Sequence, residues 1–294
     1  MAVLLTGGTG KTSTRIAPLL QAHNIPFTLA SRTLPSASPY EHVKLDWTDS
    51  STWPNAFTTP VKAVYMMEPQ VAQPWVPMIS FLDFALSKGV TRFVLCAGTT
   101  TGRGRDGMGR VWDAFVERGV EFCVLRPSWF TENLVEPGLV YTITQLGKIF
   151  TACQDGEIPF VSADDIAEVA FRALTNEKSY DCDLRVLGPE LLTYDDVSVQ
   201  MHACEYALIS KVAAKLTTAL GRPVEHVKLD KQGRFENLVQ AGLSEYFAQF
   251  FTNLEVKASE GLETALNSVV EDVTGHPPKS LDDFIRENRT AWSS

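Results

Sequence analysis

The chain has 294 residues, 45% of them hydrophobic and 21% charged, a composition typical of ordinary globular proteins. The net charge of −9 argues against a broad basic surface, so we expect no binding to nucleic acid or to an anionic membrane. Five scattered cysteines without a CxxC pair exclude a disulfide framework and a zinc site, and no metal is predicted. The N-terminus lacks signal-peptide features and no apolar run could span a membrane, so a cytoplasmic location is expected.

Short apolar runs alternate with amphipathic segments through the first half of the chain. Strands are predicted over Ala2–Thr6, Phe27–Ser31, Val43–Asp46, Ala63–Met66, Arg92–Cys96 and Glu121–Leu125. Helices are predicted over Gly10–Ala22, Trp75–Lys88 and Arg110–Arg118. This alternation predicts an α/β protein with a Rossmann-type, doubly wound parallel sheet and helices on both faces.

The second half has fewer strands and more helix. The pattern predicts a helix over Asp164–Leu174, strands over Asp183–Leu187 and Val224–Leu229, and a long helix from a cap at Thr193 to residue 220. The remainder is mostly helical and ends, after Pro277-Pro278, in a short helix. We therefore predict a cofactor-binding Rossmann domain over 1–150. Residues 151–294 are predicted to add the last strands and a small, mainly helical substrate lobe as a single compact unit, with the substrate in the cleft beside the strand ends.

A glycine-rich segment directly follows the first strand and opens the first helix: Thr6-Gly7-Gly8-Thr9-Gly10-Lys11-Thr12-Ser13. Gly7 permits a tight turn, and Gly10 lets the backbone approach a pyrophosphate that the helix N-terminus then binds. Ser13 stands where the third glycine of a dinucleotide motif usually lies. A mononucleotide P-loop is excluded because Leu5 occupies the position of its first glycine. We predict a dinucleotide site contacted by residues 6–12.

The end of the second strand indicates which dinucleotide binds. NAD-binding proteins place an acidic residue there, whereas this chain has Ser31-Arg32. The Arg32 guanidinium can donate two hydrogen bonds to a 2′-phosphate and stack on adenine, so NADP(H) is favoured over NAD. The alternative is that Arg32 is a surface residue without a role in binding. Asp46 would suit the adenine edge or be a turn residue. The predicted cofactor site is completed at the following strand ends by Met66, Ala97, Gly98 and Pro127.

Several longer segments carry a family resemblance. They are Leu5–Gly10, Phe93-Val94-Leu95, Leu125-Arg126-Pro127-Ser128-Trp129-Phe130-Thr131-Glu132-Asn133, Val161–Ala170, Ser13–Leu20 and Val273–Ser280. In combination these residues resemble the NmrA-like branch of the short-chain dehydrogenases, and within it the fungal ergot-alkaloid dehydrogenases of the agroclavine and festuclavine type. The resemblance implies NADPH-dependent reduction of a cyclic iminium in an indole alkaloid.

Two segments depart from the family pattern. Ordinary short-chain dehydrogenases carry Tyr-x-x-x-Lys, but this chain has no such pair near Gly109–Arg118, and Met108-Gly109-Arg110 stands where the lysine would fall. An iminium already carries its charge and accepts hydride without a proton donor, so the missing pair favours C=N chemistry over ketone reduction. It equally fits a non-catalytic sensor. Ser198–Ser210 resembles an insertion, either a real lid or an error of the gene model.

Candidate catalytic residues are polar or aromatic side chains near the predicted strand ends. Thr99, with Thr100 and Thr101, follows the fifth strand, where the short-chain family keeps a hydroxyl. Asp106 in a glycine-rich loop could pair with a cationic imine, or be a solvated turn residue. Trp129 with Phe130 could stack on an indole or pack in the core. Glu132 could be buried and functional, or be an acid at a helix start. Tyr65 and Glu68, at the end of the fourth strand, could touch the nicotinamide side of the cofactor, or be a surface aromatic and a loop acid.

Three functions are compatible with these residues. The first is an NADP(H)-dependent oxidoreductase acting on an alkaloid C=N bond. The second is a related enzyme that couples redox to a cyclisation of the Diels–Alder type in prenylated indole alkaloid biosynthesis. The third is a regulator that senses NADP(H) without turnover. The expected partner is a small indole alkaloid, and a homodimer is compatible with the sequence.

Overall fold

The computed structural model describes residues 2–195 and 210–292. The strands are β1 Ala2–Thr6, β2 Phe27–Ser31, β3 His42–Lys44, β4 Val61–Met67, β5 Arg92–Cys96, β6 Glu121–Pro127, β7 Lys148–Thr151, β8 Cys182–Val186, β9 Leu192–Thr193, β10 Ser210–Lys211 and β11 Glu225–Lys228. The α-helices are α1 Ser13–Ala22, α2 Trp75–Ser87, α3 Met108–Arg118, α4 Pro137–Tyr141, α5 Ala163–Thr175, α6 Val212–Leu220, α7 Lys231–Gln240, α8 Glu245–Ser259, α9 Val269–Thr274 and α10 Leu281–Glu287.

The main sheet has seven parallel strands in the order β3-β2-β1-β4-β5-β6-β8. The order reverses beside β1, because β2 and β3 lie on one side of it and β4, β5, β6 and β8 lie on the other. Ligands of open α/β sheets bind at such a reversal, beyond the carboxyl ends of the strands. The predicted Rossmann-type, doubly wound α/β fold is therefore confirmed.

The central strands are buried on both faces, as their continuous apolar sequences predict. In β4 and β5, the runs Ala63–Met66 and Arg92–Cys96 are fully or almost fully buried. Phe81 of α2 packs edge-on against Trp47 and Trp53, with ring centroids 5.0 and 5.5 Å away. This aromatic cluster belongs to the core that α2 and α3 share with the sheet.

The chain forms two compact units that interleave along the sequence. The first, the sheet unit, comprises residues 1–127, 163–186 and 269–276. The second, the helical unit, comprises residues 128–162, 187–268 and 277–294. The division at residue 150 into two domains stays a prediction.

The helical unit has its own apolar core and a short parallel pair of strands, β7 and β11. A buried ion pair joins its two longest described helices, because Arg234 of α7 lies 2.7 Å from the carboxylate of Glu255 in α8. The same carboxylate accepts the backbone N–H of Ala152, just after β7, at 2.7 Å. A buried charge with this many partners fixes the helix pair against the small sheet.

One helix was predicted too long. Thr193 does not cap a helix but lies in β9, and in the described residues the following helix covers only Val212–Leu220. The conformation of Thr193 is set by strand pairing and not by its local sequence, since β9 pairs with β10. The predicted insertion Ser198–Ser210 lies, except for its last residue, outside the described residues. The predicted short helix after Pro277-Pro278 is confirmed as α10.

His226 makes the stability of the helical unit depend on pH. Its ring is buried on β11, and its Nε2 atom lies 2.8 Å from the Thr151 hydroxyl. Burial lowers the pKa of His226 from 6.5 to about 4. His226 is therefore protonated near pH 6.5 in the unfolded chain but only near pH 4 in the folded chain. The free energy of unfolding falls as the pH falls from 6.5 towards 4.

Because of His226, we expect the free energy of unfolding to be about 2 kcal/mol lower at pH 5 than at pH 7. Denaturant unfolding of the natural chain and of His226→Gln at both pH values measures the loss. The glutamine variant, which does not titrate, should lose less stability over that interval. Equal losses in the two proteins would show that His226 does not contribute.

No helix in the described part of the chain is long and apolar enough to cross a membrane. Over the same residues, no cluster of three or more His, Cys, Asp or Glu side chains is arranged to hold a metal ion.

Candidate functional site

The glycine-rich segment forms a tight turn between β1 and α1. Gly7 adopts a left-handed conformation with φ of +62°, and its carbonyl accepts the Gly10 N–H at 2.7 Å. A Cβ at Gly10 would lie 2.9 Å from that same carbonyl oxygen. Gly8 is packed equally closely, because its N–H donates to the Ala30 carbonyl of β2 at 2.8 Å. Glycine is required here by close backbone approach.

Helix α1 begins with its positive end open. The Thr14 N–H donates to the Gly10 carbonyl at 3.2 Å, so the amides of Thr12 and Ser13 come before the first i to i−4 hydrogen bond of the helix. Thr12 makes no side-chain cap bond, and the first turn contains no acidic residue that would compete for these amides. Free amides at a helix N-terminus attract anions, and a phosphate group is the ligand that such a terminus favours.

The hydroxyl groups around the turn point into the sheet unit. Thr6 donates to the Tyr65 carbonyl at 2.8 Å, and Ser13 donates to the Thr6 carbonyl at 2.8 Å. The Tyr65 hydroxyl donates to the Thr12 hydroxyl at 2.9 Å, and both side chains are fully buried. The side chains of Thr6 and Thr12 are therefore turned into the interior, and the predicted cofactor contacts of these two residues stay a prediction for their backbone groups. Tyr65, expected near the nicotinamide, lies instead in the interior.

The end of β2 presents a cation beside the turn. The Ser31 hydroxyl donates to the Thr33 carbonyl at 2.8 Å, while Arg32 is exposed. Asp46 accepts the N–H and the hydroxyl of Thr48 at 2.9 and 2.8 Å. These hydrogen bonds, aided by the Arg32 charge, lower the pKa of Asp46. A cation able to meet a phosphate and a hydrogen-bonded carboxylate thus follow neighbouring strands.

The residues predicted to complete the cofactor site at the ends of β4, β5 and β6 differ in how exposed their side chains are. Met66 is fully buried in the core, which leaves its side chain no access to a ligand. Its neighbour Met67, which the sequence analysis missed, is half-buried, and its Cβ lies 3.0 Å from where a Cβ on Gly7 would be. Strand alternation was the available signal, since adjacent residues face opposite sides of a sheet.

The segment after β5 is tied to β6. The Ala97 N–H donates to the Leu125 carbonyl at 2.9 Å, and the Thr99 N–H donates to the Pro127 carbonyl at 3.2 Å. Space around Gly98 is open, with no atom within 4 Å of an added Cβ.

Arg126 reinforces this connection. One guanidinium nitrogen lies 2.7 Å from the Asp183 carboxylate of β8, and another donates to the Thr99 carbonyl at 2.5 Å. Arg126 was read only as part of a family motif, and its partners are far apart in sequence.

The catalytic candidates of the sheet unit are the threonines and Asp106. Thr99 and Thr101 are half-buried and Thr100 is exposed. The Asp106 side chain is 80% exposed and pairs with Arg110 one turn along α3. Such an exposed pair is weak, so Asp106 remains accessible to a ligand. Helix α3 contains no tyrosine and no lysine, as the sequence analysis noted.

The remaining candidates lie in the helical unit. Glu132 is buried and accepts the Thr131 and Ser162 hydroxyls at 3.2 and 3.3 Å. A second buried carboxylate, Glu263, accepts the Ser128 hydroxyl at 3.5 Å and was not singled out from the sequence. Trp129 packs against the core of this unit, as its structural alternative predicted, and Phe130 is half-buried.

A separate pocket of about 430 Å³ lies within the helical unit. It is lined by Asp155, Gly156, Glu157, Thr193, Asp195, Ser259, Gly261 and Thr264, none of them a predicted site residue. Lys228 lies 2.6 Å from the Asp155 carboxylate and 3.2 Å from that of Asp195, which balances part of the negative charge.

Comparison with known proteins gives full-length relatives. The chain is 38% identical over 301 residues to agroclavine dehydrogenase of Claviceps fusiformis, covering 99% of both chains. It is 37% identical over 304 residues to festuclavine synthase II of Penicillium roqueforti, covering all of both chains. It is 36% identical over 303 residues to festuclavine dehydrogenase of Aspergillus fumigatus, covering 99% of both chains. No family model matches the chain.

Solved structures with the same fold are more distant in sequence. Triphenylmethane reductase of Citrobacter, crystallised with NADP(H), superposes with a TM-score of 0.78 at 18% identity, over 98% of this chain and 99% of that one. The NADPH-dependent quinone oxidoreductase of Escherichia coli, complexed with NADPH, superposes with a TM-score of 0.77 at 18% identity, over 97% and 99%. The chain therefore belongs to the family of the fungal agroclavine and festuclavine dehydrogenases, whose named members are oxidoreductases.

Proposed function

We propose that this chain is an NADP(H)-dependent reductase of a C=N bond, imine or iminium, in an indole alkaloid intermediate. The observation that carries the proposal is the N-terminus of α1, which directly follows the Gly7–Gly10 turn and has no acidic residue in its first turn and no side-chain cap at Thr12. The names of the relatives supply the substrate class, since agroclavine and festuclavine are the alkaloids for which those enzymes are named.

The residues at this end of the sheet fit NADP(H). The first-turn amides of α1 would hold the pyrophosphate, because the Gly7–Gly10 turn leaves no Cβ in the way. Arg32 would grip the 2′-phosphate, which NADP(H) carries and NAD(H) lacks. Asp46 would accept a hydrogen bond from the adenine amino group. The structures of two proteins with this fold were determined with NADP(H) or NADPH bound, which supports the same choice here.

The chemistry that the cofactor supplies when bound is hydride donation. An iminium carbon accepts hydride directly, and the electron pair of the C=N bond moves onto nitrogen, which becomes a neutral amine. No proton is required in that step, which agrees with a helix α3 that contains neither tyrosine nor lysine. Asp106, Thr99, Trp129 and Glu132 are proposed as substrate-side residues. The carboxylates of Asp106 and Glu132 would favour a cationic substrate, and the Thr99 hydroxyl would orient it. The Trp129 ring would stack on the indole of the substrate.

The test mixes purified protein with NADPH and a prenylated-indole iminium, and follows nicotinamide absorbance together with product mass. Consumption of NADPH with a protonated product two hydrogens heavier than the iminium is the expected result. A product of unchanged mass with a new skeleton would replace reduction by a redox-linked cyclisation. Tight NADPH binding without any product would favour a sensor. Homodimerisation, a cytoplasmic location and the lack of nucleic-acid binding stay predictions.

A further inference from the structure

We propose that Tyr65 is a positioning residue for the dinucleotide, which holds the first turn of α1 in place through Thr12. This inference rests on the proposed function. Tyr65 would touch no ligand itself, because its side chain is fully buried within β4. It would act by fixing the backbone amides that meet the pyrophosphate.

Tyr65 bonds to both ends of the glycine turn. At the start of the turn, its carbonyl accepts the Thr6 hydroxyl at 2.8 Å. At the end of the turn, its own hydroxyl donates to the Thr12 hydroxyl at 2.9 Å. These residues are 59 and 53 positions away in sequence, so the bonds connect the turn to the centre of the sheet. Within the turn itself, the Gly10 N–H to Gly7 carbonyl bond then sets the curvature.

The Thr12 side chain is thereby turned away from the place where a ligand would lie. Its hydroxyl makes no cap bond to its own helix, so the bond from Tyr65 is the contact that fixes its direction. A first-turn threonine would otherwise be free to turn its hydroxyl towards neighbouring amides, as threonine commonly does at helix starts. Tyr65 therefore keeps the first-turn amides available for an anion.

The groups beneath the turn are neutral. Burial raises the pKa of Tyr65 well above its ordinary value, so the phenol stays protonated and remains a donor. Burial also raises the pKa of the adjacent Cys96 thiol to about 11. Neither group therefore places a negative charge beneath the turn at neutral pH, where it would repel the pyrophosphate.

The decisive experiment compares two ligands in the variant Tyr65→Phe. NADPH contains the pyrophosphate, whereas 2′-AMP contains the adenosine and 2′-phosphate but no pyrophosphate. Loss of one neutral hydrogen bond predicts that Kd for NADPH rises about 3- to 10-fold. Kd for 2′-AMP should stay unchanged, because Arg32 is untouched. Tyr194→Phe, which alters a buried tyrosine of the helical unit, is the matched control and should change neither Kd.

Thr12→Val removes the same hydrogen bond from its other side. The double variant should bind NADPH no more weakly than whichever single variant has the higher Kd, because both substitutions remove the same Tyr65–Thr12 hydrogen bond. If Tyr65→Phe does not fold, Thr12→Val alone carries the test with the same expected pattern. Equal losses for NADPH and 2′-AMP, or no loss for either, would overturn the inference. Failure of the natural chain to bind NADPH would instead overturn the proposed function.

Discussion

Replacing Gly10 by alanine is expected to weaken NADPH binding by up to about 100-fold, because the turn that presents the amides of α1 cannot keep its shape. The added Cβ would lie 2.9 Å from the Gly7 carbonyl oxygen, a distance that real Cβ atoms avoid. That oxygen belongs to the backbone and is already bonded to the Gly10 N–H, so it cannot move aside without breaking the turn. Strain of this kind costs up to about 3 kcal/mol, which corresponds to about two powers of ten in Kd.

Fluorescence titration with NADPH measures the effect, and the melting temperature of the same variant shows whether the fold survives. The matched control is Gly138→Ala at the start of α4, where an added Cβ meets no atom within 4 Å. This control should bind NADPH as the natural chain does. Unchanged affinity in a folded Gly10→Ala protein would show that the turn does not hold the pyrophosphate.

Reversing the charge at position 32 is expected to reverse the cofactor preference. In Arg32→Glu, Kd for NADPH should rise about 100-fold, since two charge-assisted hydrogen bonds to the 2′-phosphate become a repulsion. Kd for NADH should fall or stay the same, because a carboxylate at this position accepts a hydrogen bond from the ribose 2′-hydroxyl. The ratio of the two dissociation constants is the measurement, and it does not depend on the identity of the substrate.

The appropriate control is Arg286→Ala, which removes an arginine that is also exposed but belongs to the helical unit. It changes the net charge in the same direction without touching the sheet. NADPH should bind this variant normally. A preference for NADPH that persists in Arg32→Glu would mean that another cation reads the 2′-phosphate.

The parallel sheet could be predicted from the sequence because its central strands are short, mostly apolar runs. Predicted and observed bounds coincide for β1, β2 and β5, and differ by a few residues at most for the others. Runs such as Val94-Leu95 are buried on both faces, so no alternation was needed to recognise them. The segment 128–160 was left unassigned beyond its family motif. It contains short helices and β7, whose stability comes from pairing with β11 and not from local pattern.

The sequence by itself determined the class of fold, the position of the glycine turn and the arginine that follows β2. These features are local: a turn requires glycine where the backbone closes on itself, and a strand end is marked by the residue after it. Only the tertiary structure decided which side chains near the turn can reach a ligand. Tyr65 and Met66 lie near the end of β4 and Thr12 lies just before α1, but the side chains of all three are buried. Arg126 and Glu263 acquire partners 27 and 135 residues away. Such contacts depend on how strands pair and helices pack, and no short stretch of sequence encodes them.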